Sequence, residues 1–267
     1  MVEANKIYNE DCLEGMKRIA DNSIDLVVTS PPYDNLRKYN GIGDDWTFEK
    51  FKRIANELKR VIRKGGTIIW VVNDSTKNGS ESGTSFKQVL YFKEIGLNIH
   101  DTMIYAKNNY VPLTHNRYEQ QFEYMFVLTN GKPTVFNPIR IPCKNAGKVE
   151  KYGGNRRRML DSNQSMRCPQ ESCKMKTKNT KIHPNIFYYS CGLEKTGHPA
   201  VFPLQLATEQ VCSWSNVNDI ILDPFIGSGT TAIACMNTQR NFIGFEMDKG
   251  YYDIACDRIE RLGCAHD

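Results

Sequence analysis

Short apolar runs alternate with longer amphipathic stretches along most of the chain. Runs such as residues 23–28, 67–72 and 219–223 have the length of buried strands, and residues 47–64 carry apolar side chains at helical spacing. This alternation is typical of an α/β protein, in which helices cover the faces of a sheet. Further strands are predicted at 99–107, 122–131 and 241–248, and further helices at 11–20, 85–96, 198–215, 229–238 and 251–262.

Two glycines, Gly65 and Gly66, directly follow the amphipathic stretch of residues 47–64. Glycine adopts the left-handed backbone conformation without steric cost, and helices often end on such a residue. The pair is therefore expected to form the C-terminal cap of this helix.

The regular pattern fades after residue 131 and returns near residue 196, while Lys, Arg, Asn and Ser accumulate between these points. From residue 138 to 181 there are twelve basic residues against three acidic ones, a net charge of +9 in a chain whose total is +5. This charge separation indicates a segment that faces a polyanion, although a solvated basic loop has the same composition. We therefore divide the chain into 1–131, an inserted basic region at 132–195, and 196–267.

The composition of the chain bears on the number of domains, the cellular location, the state of the cysteines and metal binding. A chain of 267 residues with 40% hydrophobic side chains is expected to form one main globular domain. It contains no run of about eighteen apolar residues and no basic-then-apolar leader, so a cytoplasmic location is expected. The nine cysteines are an odd number, which indicates reduced thiols. The spacing of Cys168 and Cys173 is wider than the usual zinc pair, so no metal site is expected.

A candidate ligand loop lies at residues 221–234, ILDPFIGSGTTAIA. It reads as a strand, an acidic residue, a turn with Gly227 and Gly229, and a helix, which is the arrangement of strand-end ligand sites in α/β sheets. It matches neither the GxGxxG fingerprint of dinucleotide-binding proteins nor the Gly-Lys-Ser/Thr of a phosphate-binding loop. A nicotinamide dehydrogenase and a nucleotide-triphosphate site are therefore disfavoured.

Two carboxylates at predicted strand ends narrow the choice of ligand further. Asp223 would repel a pyrophosphate but attract a cationic group. Glu246 follows the next strand, a position from which a carboxylate accepts hydrogen bonds from ribose hydroxyls. S-adenosylmethionine is a nucleoside with positive charge and no phosphate, and it fits both acids. Either residue alone would more often be a turn former or a surface charge.

The motif Thr-Ser-Pro-Pro-Tyr, residues 29–33, follows the apolar run 23–28. Consecutive prolines end the strand, and their carbonyl oxygens become fixed acceptors outside the sheet ladder. An exocyclic amine on an aromatic base is a poor nucleophile, and acceptors around its hydrogens favour the attacking form. Ser30 and the Pro31 carbonyl could supply these acceptors, and Tyr33 a stacking ring. No G-x-S-x-G elbow surrounds Ser30, which disfavours acyl chemistry.

With both motifs in this order, the chain resembles the β group of DNA amino-methyltransferases, over nearly its whole length except roughly residues 132–195. The matching segments are NEDCLEGM (9–16), TSPPY (29–33), HPAVFP (198–203), DPFIGSGTT (223–231) and FIGFEMD (242–248). This resemblance implies a doubly wound, mostly parallel, seven-stranded Rossmann-like sheet, circularly permuted so that the N-terminal half carries the target base and the C-terminal half the cofactor. The insertion would be the target-recognition region.

The resemblance also assigns residues to roles. It implies that S-adenosyl-L-methionine is the cofactor. The catalytic set would be Ser30, Pro31, Pro32 and Tyr33. The cofactor would be bound by Asp11, Cys12, Thr29, His198, Pro199, Phe202, Asp223, Pro224, Phe225, Gly227, Ser228, Gly229, Thr230, Glu246 and Met247. In the basic region, Arg156, Arg157, Arg158, Lys174 and Lys176 are expected to contact DNA phosphates.

The reaction expected from this resemblance is site-specific methylation of duplex DNA, with the target base flipped into the pocket. Serine in the first motif position favours the N4 amine of cytosine, and the N6 amine of adenine stays open. A non-catalytic module that binds the cofactor and DNA is a more distant alternative. The family also allows two partners, a cognate restriction endonuclease and a second copy of the chain. No membrane partner is expected.

Overall fold

We describe a computed structural model of the protein. It describes residues 2–32, 46–109, 117–152, 158–159, 165–166, 173–190 and 203–263. The chain divides into two compact units, of which the first comprises Met1–Asn137 with Asn185–Asp267, and the second comprises Pro138–Pro184.

The first unit is built from a central sheet, a small hairpin and the helices. Its strands are β1 (Lys6–Tyr8), β2 (Ile24–Thr29), β3 (Ile62–Val72), β4 (Thr76–Lys77), β5 (Ser80–Glu81), β6 (Asn98–Lys107), β7 (Phe122–Thr129), β14 (Ile186–Tyr189), β15 (Ile220–Asp223) and β16 (Asn241–Phe245). Its helices are α1 (Cys12–Met16), α2 (Phe48–Val61), α3 (Thr84–Glu94), α4 (Leu204–Trp214), α5 (Thr230–Asn237) and α6 (Lys249–Gly263).

The central sheet has eight strands among the described residues, in the order β1-β16-β15-β2-β3-β7-β6-β14. All neighbours in this sheet are parallel except β7, which is antiparallel to both β3 and β6. From β15 the chain continues outward to β16, whereas from β2 it continues outward to β3 on the other side. The strand order therefore reverses between β15 and β2, and in open α/β sheets a crevice forms at such a switch point.

This architecture confirms the doubly wound α/β fold expected from the sequence, with β14 added at the sheet edge. It also confirms the circular exchange of the two halves, because the C-terminal strands β15 and β16 lie between the N-terminal strands β1 and β2. The predicted strand pair 99–107 and 122–131 is the antiparallel pair β6–β7. The short strands β1 and β14 were not predicted.

The expected glycine cap on helix 47–64 is wrong. Helix α2 ends at Val61, and Ile62 is already extended (φ −70°, ψ 128°) because it pairs with Ile24 in the sheet. Gly65 and Gly66 lie inside β3 instead. Gly65 has φ +76°, and a Cβ there would come 2.4 Å from Thr134 Cγ2. The glycines therefore allow an irregularity in β3 and do not cap the helix.

A cluster of large side chains fixes β3, the neighbour of β2, against helices α2 and α3. Phe51, Trp70 and Phe92 are fully buried. The ring of Phe92 meets Trp70 and Phe51 edge-on, with centroids 5.1 Å and 5.3 Å apart. Such edge-to-face pairs add to the stabilisation from burial. The strands that carry the site are therefore held by a rigid apolar layer on this face of the sheet.

The second unit, which contains the basic segment, consists of short antiparallel pairs. Strands β8 (Arg140–Pro142) and β13 (Thr180–Ile182) form one pair, β9 (Val149–Tyr152) and β12 (Cys173–Lys176) a second, and β10 (Arg158–Met159) and β11 (Ser165–Met166) a third. The role of this unit in target recognition stays a prediction.

The described residues contain neither a membrane-spanning helix nor a cluster of metal ligands. In that part of the chain, no helix is both long and apolar enough to cross a bilayer. Over the same ranges, no group of three or more His, Cys, Asp or Glu residues is placed to hold a metal ion. The cysteines whose side chains the structure describes, Cys12, Cys143, Cys212, Cys235 and Cys256, are free thiols.

We predict that Gly15→Ala destabilises the protein although alanine is the better helix former. A Cβ at Gly15 in α1 would lie 2.1 Å from Cε1 of Phe245, whose ring is fully buried. Overpacking of this kind costs about 1–3 kcal/mol. The free energy of unfolding in urea measures the effect. The exposed neighbour Glu14→Ala is the control, and equal stability of the two variants would contradict the prediction.

Candidate active site

The two sequence motifs meet at the switch point of the sheet. Thr29 ends β2 and Asp223 ends β15, and these parallel strands are neighbours. The Thr29 hydroxyl donates a hydrogen bond to Asp223 Oδ1 at 2.6 Å, and both side chains are buried. Residues 194 positions apart in the sequence are thereby joined at the carboxyl edge of the sheet.

Asp223 is held by further donors from its own loop. Its Oδ2 accepts a hydrogen bond from the Thr231 hydroxyl at 2.6 Å, and Oδ1 also accepts from the backbone N–H of Phe225 at 3.1 Å. Burial raises the pKa of Asp223 to about 6, although these hydrogen bonds act in the opposite direction. The carboxylate is therefore ionised at neutral pH and fixes the start of the loop.

Both glycines of the loop have left-handed backbone conformations. Gly227 and Gly229 have φ values of +53° and +84°, and Gly229 is the residue before helix α5. A Cβ on Gly229 would lie 3.1 Å from the Cβ of Ala255, so the loop packs closely on helix α6. Glycine at this position permits both the turn and the close approach.

Arg258 of α6 holds the same loop from the other side and was not predicted from the sequence. Its Nη1 donates to the carbonyl oxygen of Ser228 at 2.5 Å and to the Ser228 hydroxyl at 3.0 Å. The hydroxyl of Thr230 lies 3.4 Å from the same nitrogen. Arg258 lies three residues after Ala255, on the same side of α6. Its contact with the loop depends on the packing of α5 against α6, which the sequence alone does not show.

Glu246 follows β16 and faces the glycine loop. Its Oε2 accepts a hydrogen bond from the backbone N–H of Gly227 at 3.0 Å, and its Oε1 accepts from the N–H of Asp248 at 2.8 Å. Each carboxylate oxygen can accept more than one hydrogen bond, so both can also receive a ligand hydroxyl. Burial raises the pKa of Glu246 to about 6.

Strand β1 brings a third part of the site next to Glu246. The carbonyl of Tyr8 accepts the backbone N–H of Glu246 at 3.0 Å. The Asn9 amide, which sequence reasoning missed, donates to the carbonyls of Glu246 at 2.9 Å and Met247 at 3.2 Å. The side chain of Met247 is exposed. The segment after β1 is therefore tied to the segment after β16.

Asp11 and Cys12 follow in this segment. Asp11 caps helix α1, with Oδ1 accepting from the N–H of Leu13 at 2.7 Å, and its Oδ2 lies 3.2 Å from Nζ of Lys50. The Cys12 side chain is buried, and burial followed by the charge of Asp11 raises the pKa of its thiol. Cys12 is therefore a neutral thiol that contributes shape rather than nucleophilicity. Lys50 on α2 was not predicted.

The predicted catalytic motif, residues 29–33, is described as far as Pro32. Ser30 is half-buried, Pro31 is buried and Pro32 is half-buried at the carboxyl end of β2. On the cofactor side, Pro224 is buried, and the Phe225 ring meets Trp46 edge-on at a centroid distance of 5.5 Å. The structure therefore brings Thr29, Ser30 and the loop after β15 to one edge of the sheet.

Several predicted site residues lie outside the described residues. These are Tyr33, Arg156, Arg157, His198, Pro199 and Phe202. Arg158 lies in β10, and Lys174 and Lys176 lie in β12, but only the backbone of these strands is described. The assigned roles of all these residues, including the DNA contacts, stay predictions.

The geometry defines the class of protein. A doubly wound sheet with one acid at its switch point and a second acid after the adjoining strand is a Rossmann-like arrangement, and such sheets bind their ligands at the carboxyl ends of the strands. A sequence model of the DNA methylase family, of the N6/N4 methyltransferase type, matches residues 24–257. The chain belongs to this family.

Individual relatives cover nearly the whole chain. The orphan methyltransferase M.BamHII of Bacillus amyloliquefaciens is 42% identical over 257 residues, which are 94% of either chain. The DNA adenine methyltransferase YhdJ of Escherichia coli (strain K12) is 27% identical over 97% of this chain and 83% of its own. The crystal structure of the M1.HpyAVI–SAM complex superposes with a TM-score of 0.61 at 27% identity, covering 95% of this chain and 98% of that one.

We predict that Thr29→Val destabilises the protein in a pH-dependent way. Valine keeps the shape but removes a donor to the buried Asp223 carboxylate, which costs about 1–3 kcal/mol while that carboxylate is ionised. Protonation relieves the loss, and without the Thr29 donor the pKa of Asp223 is higher in the variant than in wild type. The stability difference from wild type should therefore be largest at pH 8, shrink as the pH falls towards 6, and be mostly gone at pH 5.

Urea unfolding at pH 5 and pH 8 measures this difference. Thr238→Val is the matched control, since the Thr238 hydroxyl donates to the neutral carbonyl of Ala234 at 2.7 Å. Its stability difference from wild type should be the same at both pH values. A Thr29→Val difference that does not change with pH would contradict the assigned hydrogen bond.

Proposed function

We propose that this chain is a site-specific DNA methyltransferase that transfers a methyl group from S-adenosyl-L-methionine to an exocyclic amine in duplex DNA, the N4 amine of cytosine. The observation that carries the proposal is the buried hydrogen bond between Thr29 and Asp223. It joins the strand of the Ser-Pro-Pro motif to the strand of the ligand loop. An amine held at the first motif and a donor held at the second are then neighbours.

The chemistry of the site supports S-adenosyl-L-methionine as the cofactor. Glu246 presents two carboxylate oxygens that can accept further hydrogen bonds, which suits a pair of ribose hydroxyls. Asp11 and Cys12 are assigned to the adenine, and Asp223 with the loop from Gly227 to Thr230 to the methionine part. The related M1.HpyAVI structure is described as a complex with SAM. When bound, S-adenosyl-L-methionine supplies an electrophilic methyl group on a positively charged sulfur.

The residues of the chain act on the amine. Ser30 and the Pro31 carbonyl accept hydrogen bonds from its two hydrogens, which favours a lone pair directed away from the base plane. Tyr33 is assigned to stack on the flipped base and hold it in line with the donor. No side chain forms a covalent bond to the base. The free energy of base flipping is offset by stacking and by contacts to the DNA backbone.

The choice of cytosine N4 rests on Ser30. A neutral hydroxyl in the first position of the motif favours cytosine, whereas an aspartate there goes more often with adenine. Adenine N6 is the second candidate, because the relative YhdJ bears the name of a DNA adenine methyltransferase. The non-catalytic alternative is disfavoured, since the sequence keeps Ser30, Pro31, Pro32 and Tyr33 complete.

The DNA is assigned to the basic second unit, whose residues 138–181 carry a net charge of +9. Contacts from lysines and arginines to phosphates give affinity that does not depend on sequence. A partner endonuclease, a homodimer and a cytoplasmic location remain predictions from the sequence.

We predict that Ser30→Ala lowers kcat by about two to three orders of magnitude, since it removes an acceptor that acts on the reacting amine. The dissociation constant of S-adenosyl-L-methionine should stay within about twofold of wild type, because Ser30 is assigned to the base. Incorporation of labelled methyl groups into mixed-sequence DNA, followed by nucleoside mass analysis, measures activity and identifies the modified base. Ser23→Ala, just before the same strand, is the control. Full activity of Ser30→Ala would overturn the assigned role.

We predict that cofactor affinity falls as the pH drops through about 6, because Glu246 accepts hydroxyl hydrogens best when it is ionised and its pKa is raised to about 6. Glu246→Gln should weaken binding about tenfold to a hundredfold at pH 8 and reduce the pH dependence to the part that Asp223 contributes. Calorimetric titration between pH 5 and pH 8 measures both effects. The control is Glu260→Gln on the exposed side of α6. If Glu246→Gln bound as tightly as this control, Glu246 would not contact the cofactor.

A further inference from the structure

Asn73 lies beside the catalytic motif on the side away from the cofactor loop. Strand β2 has β15 as one neighbour and β3 as the other. In the β2–β3 pair, Thr29 is in register with Trp70. Strand β3 ends two residues further on, at Val72, so Asn73 directly follows β3 at the edge of the sheet where Ser30 directly follows β2. Neighbouring strands lie about 5 Å apart.

Hydrogen bonds fix the orientation of the Asn73 amide. Its Oδ1 accepts the backbone N–H of Asp74 at 3.0 Å and lies 3.4 Å from Nε2 of Gln120. Gln120 Nε2 also donates to the carbonyl of Phe122 at 3.1 Å. Because a backbone N–H can only donate, the atom facing it must be the amide oxygen. The Asn73 NH₂ group is thereby turned the other way, and it has no hydrogen-bond partner among the described residues.

The chemistry of nucleobases shows what such a donor can recognise. In cytosine and adenine, the ring nitrogen next to the amine-bearing carbon is N3 or N1, and it is an unprotonated acceptor. In thymine and guanine, the corresponding ring nitrogen carries a hydrogen and is a donor. A fixed N–H beside this atom is therefore complementary to an amino base and repels a keto base.

We infer that Asn73 donates a hydrogen bond to the ring nitrogen next to the target amine and so orients and selects the flipped base. The inference rests on the proposed function and deepens it, because it names a recognition contact for the target base. Ser30 and the Pro31 carbonyl accept hydrogen bonds from the amine, while Asn73 donates one to the adjacent ring nitrogen. Together they would match the Watson–Crick edge of an amino base, in which a donor and an acceptor stand side by side.

A double-mutant cycle between protein and substrate tests this contact. Once wild-type activity has identified the methylated base, the ring nitrogen is replaced by C–H in a synthetic duplex, with 3-deazacytosine for cytosine or 1-deazaadenine for adenine. Wild type and Asn73→Ala are each assayed with the normal and the deaza duplex. Each single change should lower kcat/KM about tenfold to a hundredfold. The two together should cost little more than either one, because they remove the same hydrogen bond.

The outcomes separate this inference from the proposed function. A non-additive cycle, with an unchanged dissociation constant for S-adenosyl-L-methionine, supports the contact. An additive cycle would overturn it even if Asn73→Ala is slow, because a structural defect acts on both duplexes equally. Wild-type protein that methylates no DNA base would overturn the proposed function and this inference with it. Asn98→Asp, at the start of β6, is the control variant and should be as active as wild type.

Discussion

The site depends on the pairing of β2 with β15. The hydrogen bond from Thr29 to Asp223 joins these strands at their carboxyl ends. Both strands are parallel and buried, so their carboxyl ends meet at one edge without any contribution from flexible segments. At that edge the two halves of the fold diverge, and the crevice between them is a consequence of the topology. The distance in sequence between the motifs is therefore irrelevant to their distance in space.

Burial of two carboxylates at this edge has an energetic cost that shapes the site. Burial raises the pKa of both Asp223 and Glu246 to about 6. Each is still ionised at neutral pH, although its buried surroundings disfavour the charge. Hydrogen bonds from the loop offset part of this cost. The remaining acceptor capacity favours a ligand with hydroxyl and cationic groups. This fits a nucleoside that carries a sulfonium and an ammonium group better than one that carries phosphates.

Much of this arrangement could be predicted from sequence because it is encoded locally. Strand and helix patterns depend on neighbouring residues, and the motifs at residues 29–33 and 223–231 carry their own turn chemistry. The end of α2 could not be predicted, because the pairing of Ile62 with Ile24 decides it, and that contact is long-range. The contacts of Asn9, Lys50 and Arg258 could not be predicted for the same reason. Each side chain meets its partner only when distant parts of the chain have packed together.

The two sides of the switch point differ in charge as well as in position. The carboxylates with a raised pKa, Asp223 and Glu246, follow β15 and β16, whereas the groups next to the proposed base, Ser30, Pro31 and Asn73, are neutral. In the proposed reaction this separation has a physical reason. The acceptors beside the amine act through its hydrogens, which a neutral oxygen can hold while the lone pair stays free to attack. The negative charge is instead placed where the cationic cofactor is expected to lie, and there it contributes to binding.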